Sequence, residues 1–250
     1  MRLRRVRRFR ESSMSTNFLS PTRQFDSAIT EMMDRSQPVS RELETDLKNL
    51  EKLNRFFGSN ALVRFFLHRW LRPGKSVRLL DLCTGFGDIP RFIVDWCRLN
   101  RVQVEITAVD LQPATLELAK RQSSSYPEIT FVACNVLDFR PGSPADFVFC
   151  SLALHHFSEE EAIRLIRQTD LMTRGNVLFA DLERSDLGIA GIYALTELIF
   201  REPMTRFDGR LSMRRAFSFG EMRRLAQAAG WGPFGHRRFS VCRQAIWREA

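Results

Sequence analysis

The stretch from Val77 to Asp88 constrains the fold of this chain most, because a leucine-rich segment runs directly into two closely spaced glycines. The apolar segment is typical of a strand that is covered on both faces. Gly85 and Gly87 allow the backbone to turn tightly and to approach a ligand to contact distance, which a Cβ atom would prevent. The pattern predicts a strand, a glycine turn and a helix that form a nucleotide-sized cradle.

A second apolar strand is predicted from Val104 to Asp110, downstream of the cradle. A carboxylate at the end of such a strand can accept hydrogen bonds from both hydroxyls of a ribose. An adenosine-containing cofactor is therefore the first hypothesis. NAD is disfavoured, because Pro90 replaces the third small residue of the dinucleotide fingerprint and removes a backbone donor that a phosphate would use.

The segment from Asp81 to Gly87, Asp-Leu-Cys-Thr-Gly-Phe-Gly, resembles motif I of the class I S-adenosylmethionine-dependent methyltransferases, which is written D-x-G-x-G-x-G. Cys83 replaces the first glycine, and we expect this departure to be mild unless position 83 requires a positive φ. The resemblance extends over residues 75–185. It implies S-adenosylmethionine as the cofactor and methyl transfer as the activity.

The resemblance also implies which residues contact the cofactor. Asp110 matches the family's ribose-binding acid, and Leu111 matches the apolar residue beside the adenine. Asn135, with Val136, matches the loop at the adenine edge, where the amide of asparagine replaces the more usual carboxylate. The expected cofactor contacts are Asp81, Cys83, Gly85, Gly87, Asp88, Asp110, Leu111, Asn135, Val136 and Ser151.

Asp88 and Ser151 have less specific roles in this set. Asp88 begins a predicted helix, where it either orders the amino group of the methionine part or caps the helix. Ser151 lies in the segment from Asp146 to Phe157, which resembles the family's fourth strand and the active-site loop after it, and is expected to line the pocket.

Two adjacent histidines, His155 and His156, follow the predicted fourth strand. Histidine titrates near neutrality, so either residue can serve as a general base for an oxygen or carbon acceptor. The pair is also typical of a loop that leads into a helix, and the sequence does not separate the two residues.

The cysteine pattern predicts no metal site. The five cysteines show no C-x-x-C spacing, so we interpret them as small core residues in a reducing compartment. This interpretation predicts a cytoplasmic location.

The alternation of strand and helix patterns predicts an α/β fold with a Rossmann-like, seven-stranded, doubly wound sheet that ends in an antiparallel hairpin. Capping boxes at Ser158 and Ser218 predict the starts of two helices. The apolar run from Leu187 to Phe200 carries only one charge, and we expect it to form a well-buried helix.

We expect three parts along the chain: a basic arm over residues 1–20, a helical cap over 21–74, and a methyltransferase domain over 75–250 with an insertion at about 187–217. Two amphipathic helices, capped by Ser40 and ended before Pro73, make up the cap. The cap either covers the substrate mouth or packs on the sheet edge. The insertion forms either a wall of the acceptor pocket or a salt-bridged surface loop.

The net charge of +9 is concentrated in the arm. Residues 1–13 contain six arginines and one glutamate, so the remainder carries 32 basic and 28 acidic residues. We expect a disordered arm, with weak contact to an anionic membrane or RNA as the alternative. No apolar run reaches the roughly 18 to 20 residues that span a bilayer.

These features predict an enzyme that methylates an oxygen or carbon of a small hydrophobic acceptor of aromatic, quinol or polyketide type. Methylation of nucleic acid is disfavoured, because Cys150-Ser-Leu-Ala stands where amino-group enzymes carry Asn/Asp-Pro-Pro-Tyr/Phe. A protein methyltransferase and a non-catalytic S-adenosylmethionine-binding regulatory module remain alternatives. We expect a small-molecule partner and no nucleic acid, and the oligomeric state stays open.

Overall fold

The computed structural model describes residues 21–239 and 242–250, so the predicted basic arm lies outside the described residues. The helices are α1 (Arg41–Phe56), α2 (Ser59–Trp70), α3 (Asp88–Leu99), α4 (Pro113–Gln122), α5 (Glu159–Met172), α6 (Asp186–Leu198), α7 (Pro203–Arg215) and α8 (Phe219–Ala228). The strands are β1 (Ser76–Leu82), β2 (Gln103–Asp110), β3 (Ile129–Ala133), β4 (Ala145–Ser151), β5 (Thr173–Leu182), β6 (Gly235–Phe239) and β7 (Arg243–Arg248).

The seven strands form one sheet in the order β3-β2-β1-β4-β5-β7-β6. Strands β1 to β5 are parallel, whereas β7 runs antiparallel to both β5 and β6. This topology confirms the predicted doubly wound sheet with a terminal antiparallel hairpin. The strand order reverses beside β1, where Asp81 pairs with Ala108 of β2 and Phe149 of β4. A crevice for a ligand is expected at the carboxyl ends of strands at such a reversal.

Apolar side chains cover the sheet on both faces. On one face, α2 and α3 contribute Phe66 and Ile93 to a cluster with β1 and β2. On the other face, α5 and α8 contribute Leu165 and Met222 to a cluster with β4 and β5. Because α2 is buried against the sheet in this way, it belongs to the sheet's covering layer.

Local signals at the helix ends are confirmed. The Ser40 side chain accepts a hydrogen bond from the backbone of Leu43 at the start of α1. Both predicted capping boxes form, at Ser158 before α5 and at Ser218 before α8. Each cap satisfies backbone donors that the first helical turn leaves unpaired.

The expectation that the run from Leu187 to Phe200 is a well-buried helix is wrong. It forms α6, but Leu187 is 80% exposed and Leu198 is 70% exposed. The helix packs chiefly on α7, with which it makes up the predicted insertion. A helix that is apolar all round is usually buried, but the sequence pattern alone does not show which faces of α6 find a packing partner.

Residues 21–40 are mostly irregular, with one 3-10 turn at Met32–Asp34, so the helical part of the cap begins at α1. We call residues 21–36 the strap. Arg23 anchors it by donating hydrogen bonds to the carbonyls of Arg215 (2.6 Å), His155 (3.2 Å) and Phe157 (2.8 Å). Within the described ranges, no helix has the length and apolar character needed to cross a membrane.

Candidate active site

A cavity of about 830 Å³ lies at the carboxyl ends of β1, β2 and β4. This volume falls within the range of ligand pockets, about 300 to 1,000 Å³. The strap, α1, α6 and α7 close its other sides. Every expected cofactor contact except Gly87 lines the cavity, and so do His155 and His156.

The two cradle glycines have different roles. Gly85 has a φ of +54° and open space where a Cβ would be, so it leaves room on the cavity wall. Gly87 has a φ of +71° and precedes α3, and a Cβ there would come within 3.1 Å of the Phe131 ring. Gly87 therefore shapes the turn and does not face the cavity.

The expectation that Cys83 is a mild replacement for glycine is wrong, because its φ is +57°. Leu152, which follows the neighbouring strand β4, has a φ of +56°. A left-handed conformation of a residue with a Cβ costs about 1 to 3 kcal/mol and persists only where the surroundings enforce it. Both strained residues line the same cavity.

Asp110 ties the end of β2 to the glycine turn. One oxygen of its carboxylate accepts a hydrogen bond from the Gly85 backbone at 2.7 Å, and the other accepts from Gln112 at 2.9 Å. Burial raises the pKa of Asp110, and these two hydrogen bonds oppose the rise. Asn135 is similarly engaged, because its side-chain oxygen accepts from the backbone of Leu137 at 3.0 Å.

Three further expected contacts lie around the cradle. Asp88 is the first residue of α3, so it does not cap the helix, and it accepts a hydrogen bond from Asn54 of α1 at 2.9 Å. Asp81 is buried, and burial raises its pKa to about 7. The hydroxyl of Ser151 is buried on the cavity wall without a hydrogen-bond partner among the described residues. A buried unpaired hydroxyl of this kind is costly, so it marks a place where a ligand group fits.

His155 is held by a carboxylate at the end of β5. Its Nδ1 lies 2.7 Å from Oδ1 of Asp181, and its backbone N donates to Oδ2 of the same residue at 2.9 Å. Both side chains are buried. Burial lowers the pKa of His155, although the Asp181 carboxylate opposes the change.

His156 faces two carboxylates of the strap. Its Nδ1 lies 2.7 Å from Oδ2 of Asp34, and its Nε2 lies 3.8 Å from Oε2 of Glu31. Burial alone would lower the pKa of His156, but Glu31 and Asp34 together raise it well above 6.5. Burial raises the pKa of Glu31 to about 8. Since His156 is 23% exposed and His155 only 3%, the structure separates the two histidines.

Sequence reasoning missed the acidic residues that surround the histidines. Asp181 had a usable signal, because it lies at the carboxyl end of an apolar segment, as Asp110 does. Asp34 had none, because it lies 122 positions from His156 in the chain. Asp208 of α7 is also buried and accepts hydrogen bonds from the backbone of Met32 (2.6 Å) and Met33 (3.0 Å), which holds the strap turn in place.

The predicted insertion lies beside the cavity as two helices. Ile192 and Leu195 of α6 and Met213 of α7 line it, together with Leu47 and Leu53 of α1. This part of the cavity wall is apolar, in contrast to the carboxylates and imidazoles opposite the cradle.

Residues 79–174 match the sequence model of a family described as methyltransferase domain. This part of the chain is therefore similar to a methyltransferase domain. The match covers β1 to the start of β5, which carries the glycine cradle, Asp110 and the histidine pair. This confirms the resemblance found in motif I.

Known proteins similar to this chain agree with the domain match. The 2-phytyl-1,4-naphtoquinone methyltransferase of Thermosynechococcus vestitus is 27% identical over 119 residues, which is 48% of each chain. The chain therefore matches about half the length of this curated relative.

Solved structures of methyltransferases share the fold of this chain. Human N-acetylserotonin methyltransferase in complex with SAM superposes with a TM-score of 0.59 at 18% identity, over 84% of this chain and 56% of that one. The plantazolicin methyltransferase in complex with SAH superposes with a TM-score of 0.61 at 12% identity, over 84% of this chain and 91% of that one.

Proposed function

We propose that this chain is an S-adenosylmethionine-dependent methyltransferase that methylates an oxygen or carbon of a small hydrophobic acceptor. The observation that carries the proposal is the single cavity that the glycine cradle, the Asp110 carboxylate and the histidine pair share. The methyltransferase-domain match over residues 79–174 supports the choice of cofactor.

The cradle end of the cavity would hold the cofactor. The Asp110 carboxylate would accept hydrogen bonds from the ribose hydroxyls, each worth about 1.5 to 3 kcal/mol. Gly85 leaves the backbone open to the methionine part, and Asp88 lies where it can order the amino group. Leu111 and Val136 would flank the adenine, with Asn135 at its edge.

The apolar walls from α1, α6 and α7 would hold the acceptor. Ile192, Leu195 and Met213 favour a hydrophobic molecule, since few polar groups among them need a partner. The finer proposal is an aromatic, quinol or polyketide-like acceptor. The naphthoquinone methyltransferase among the similar proteins supports it.

Catalysis would depend mainly on alignment. The cofactor's methyl group is already activated by the positive sulfur, so the protein must hold acceptor, methyl carbon and sulfur in line, which is worth about 7 to 11 kcal/mol in well-oriented systems. The acceptor atom bonds to the methyl carbon as the carbon–sulfur bond breaks and the sulfur keeps the electron pair. His155 and His156 are the groups proposed to activate the acceptor as it loses its proton.

The five thiols are all free, as is usual in a reducing compartment, and this supports the proposed cytoplasmic location.

Transfer of a labelled methyl group from S-adenosylmethionine tests the activity. We expect a labelled product with at least one hydroxylated aromatic or quinol in a panel of small acceptors. Label on RNA or on a peptide library, and not on small molecules, would favour the alternative methyltransferase classes. Tight cofactor binding without label on any acceptor would favour the regulatory module.

A further inference from the structure

The buried end of the cavity opposite the cradle contains three potential metal ligands that face one another. Nε2 of His155 lies 3.8 Å from Oε1 of Glu31, and Nε2 of His156 lies 3.8 Å from Oε2 of the same carboxylate. One ligand atom from each residue lies within 4.8 Å of the others. Glu31 is only 2% exposed, so its carboxyl group needs hydrogen-bond or ionic partners inside the protein.

The remaining hydrogen bonds of the two histidines orient both Nε2 atoms. Nδ1 of His155 lies 2.7 Å from Asp181, and Nδ1 of His156 lies 2.7 Å from Asp34. A carboxylate accepts a hydrogen bond from the ring nitrogen that faces it, so each Nδ1 donates and each Nε2 is directed toward Glu31. Binding of an ion would displace any proton on Nε2, as metal binding to histidine generally does. Metal-binding histidines are characteristically held in this way by a carboxylate on the other ring nitrogen.

The spacing leaves room for an ion between the two rings and the carboxylate. A direct N–H···O bond would bring each Nε2 to about 2.7 to 3.2 Å from the carboxylate, which is shorter than the observed 3.8 Å. An ion with ligands at about 2.0 to 2.2 Å spans up to roughly 4.2 Å, so the observed separation suits an ion.

The side chains around the two rings are of the types that cation sites use. The carboxyl groups of Glu31, Asp34 and Asp181 surround the rings, and they supply one oxygen ligand and two partners for the Nδ1 atoms. The hydrogen bonds of Arg23 go to the carbonyls of Arg215, His155 and Phe157, and the Nη2 of Arg215 donates to the carbonyls of Asp26 and Ile29, so these bonds leave the carboxylate oxygens of the site free to face an ion.

We propose that Glu31, His155 and His156 form a binding site for one divalent transition-metal ion at the acceptor end of the cavity. Two histidines and one carboxylate form a ligand set that suits Zn²⁺ or Fe²⁺ and leaves positions open for another ligand. Asp34 and Asp181 are positioning residues that orient the two rings, and Ser212 donates to Oε1 of Glu31 at 2.7 Å.

The role of this ion rests on the proposed function. An acceptor hydroxyl that binds at the open position releases its proton to water more readily, because the ion stabilises the oxygen anion. That oxygen would then bond to the methyl carbon of the cofactor as the carbon–sulfur bond breaks, the sulfur would keep the electron pair and leave as the thioether S-adenosylhomocysteine, and the ion would not change its oxidation state. The histidines would in this case activate the acceptor through the ion.

Co²⁺ titration of the purified full chain tests the site, with visible absorption and calorimetry as readouts. We expect one equivalent to bind with a nitrogen and oxygen spectrum that lacks the intense charge-transfer band of thiolate ligands. Glu31→Gln and His156→Gln should each weaken binding at least tenfold. Asp34→Asn and Asp181→Asn should weaken it by about 10- to 100-fold, as outer-shell changes do.

The exposed residues His68 and Glu42 provide matched controls, as His68→Gln and Glu42→Gln, and both variants should bind Co²⁺ as the wild type does. Binding of S-adenosylhomocysteine reports on folding of each variant and on the proposed function separately. Retained cofactor binding with no Co²⁺ uptake would overturn the metal site alone, and so would uptake that Glu31→Gln and His156→Gln leave unchanged. Co²⁺ uptake without cofactor binding would keep the metal site and contradict the proposed function.

Discussion

The two ends of the cavity are built in different ways. The cradle end comes from neighbouring strand ends, and its central contact joins Gly85 to Asp110, 25 positions apart. The histidine end joins the loop after β4 to the strap, where the contact between Asp34 and His156 spans 122 positions. The first end is the part that sequence motifs describe, and the second is assembled only by the tertiary fold.

This difference implies a division of roles between the two ends, with cofactor binding at the cradle and turnover at the histidines. The cradle is shaped by backbone conformation, so changes there should alter cofactor binding and stability. The histidine end is shaped by buried charges, so changes there should alter turnover while cofactor binding is retained. The following predictions, from the largest effect to the smallest, test that division.

The largest expected effect is on turnover. His156→Gln should lower kcat by about 10² to 10⁴, the usual contribution of a positioned acid, base or activating group. The affinity for S-adenosylhomocysteine should change less than threefold. Steady-state kinetics with calorimetry checks both, with His68→Gln as the control. A large loss of cofactor affinity would show that the two ends are not separate.

The second prediction concerns the pH dependence of stability near the strap. Asp46 of α1 is fully buried, and burial raises its pKa from 3.8 to about 7, although the nearby Thr205 side chain opposes the rise. A raised folded-state pKa means that its contribution to stability is fully present below pH 3.8 and is lost as the pH rises through about 7.

Asp46→Asn removes this titration. The variant should gain stability relative to the wild type as the pH is raised from 4 to 8, by an amount on the order of a few kcal/mol. Urea unfolding at several pH values measures the effect, and Glu42→Gln on the exposed face of the same helix is the control. Parallel pH profiles for wild type and Asp46→Asn would contradict it.

The third prediction concerns the anchor of the strap. Arg23→Gln removes three hydrogen bonds to backbone carbonyls and a guanidinium that lies 3.7 Å above the Phe217 ring. We expect a loss of about 1.5 to 3 kcal/mol of stability and a lower kcat/KM for the acceptor. Cofactor affinity should be nearly unchanged. The control variant Arg41→Gln, at an exposed residue, should leave stability, kcat/KM for the acceptor and cofactor affinity unchanged. If Arg23→Gln lowered cofactor affinity as much as kcat/KM, the two ends of the cavity would not have separate roles.

The smallest effect is expected at the glycine turn. Gly87→Ala should cost about 1 to 2 kcal/mol, because a φ of +71° is unfavourable for alanine and its Cβ would press on Phe131. It should also weaken cofactor binding. Gly142→Ala, which has open space around its Cβ and no positive φ, should be near neutral in urea unfolding. Equal stabilities for the two variants would contradict the role assigned to the turn.

Sequence patterns predicted the fold because its determinants are local. Helix caps such as Ser40 and Ser158, and the strand that ends at Asp110, act through residues a few positions away. The strained backbone at Cys83 is enforced by its surroundings, so the residue type did not reveal it. The exposure of Leu187 depends on which face of α6 finds a partner.

In the candidate site, too, the residues that are close in the chain could be predicted and the distant ones could not. The cradle residues could be placed from motif I because one turn brings them together. Glu31 and Asp34 could not be placed, since no periodicity links the strap to the loop after β4. The expected absence of a metal site also rested on local cysteine spacing, whereas the proposed ligands are distant in the chain.

Calorimetric binding of S-adenosylhomocysteine to the wild type, Asp110→Asn and Glu105→Gln tests the central claim most directly. Glu105 is an exposed carboxylate on the same strand and serves as the control. The account predicts binding by the wild type and Glu105→Gln, with at least tenfold weaker binding by Asp110→Asn. Absence of binding by the wild type, or equal affinity for Asp110→Asn, would contradict it.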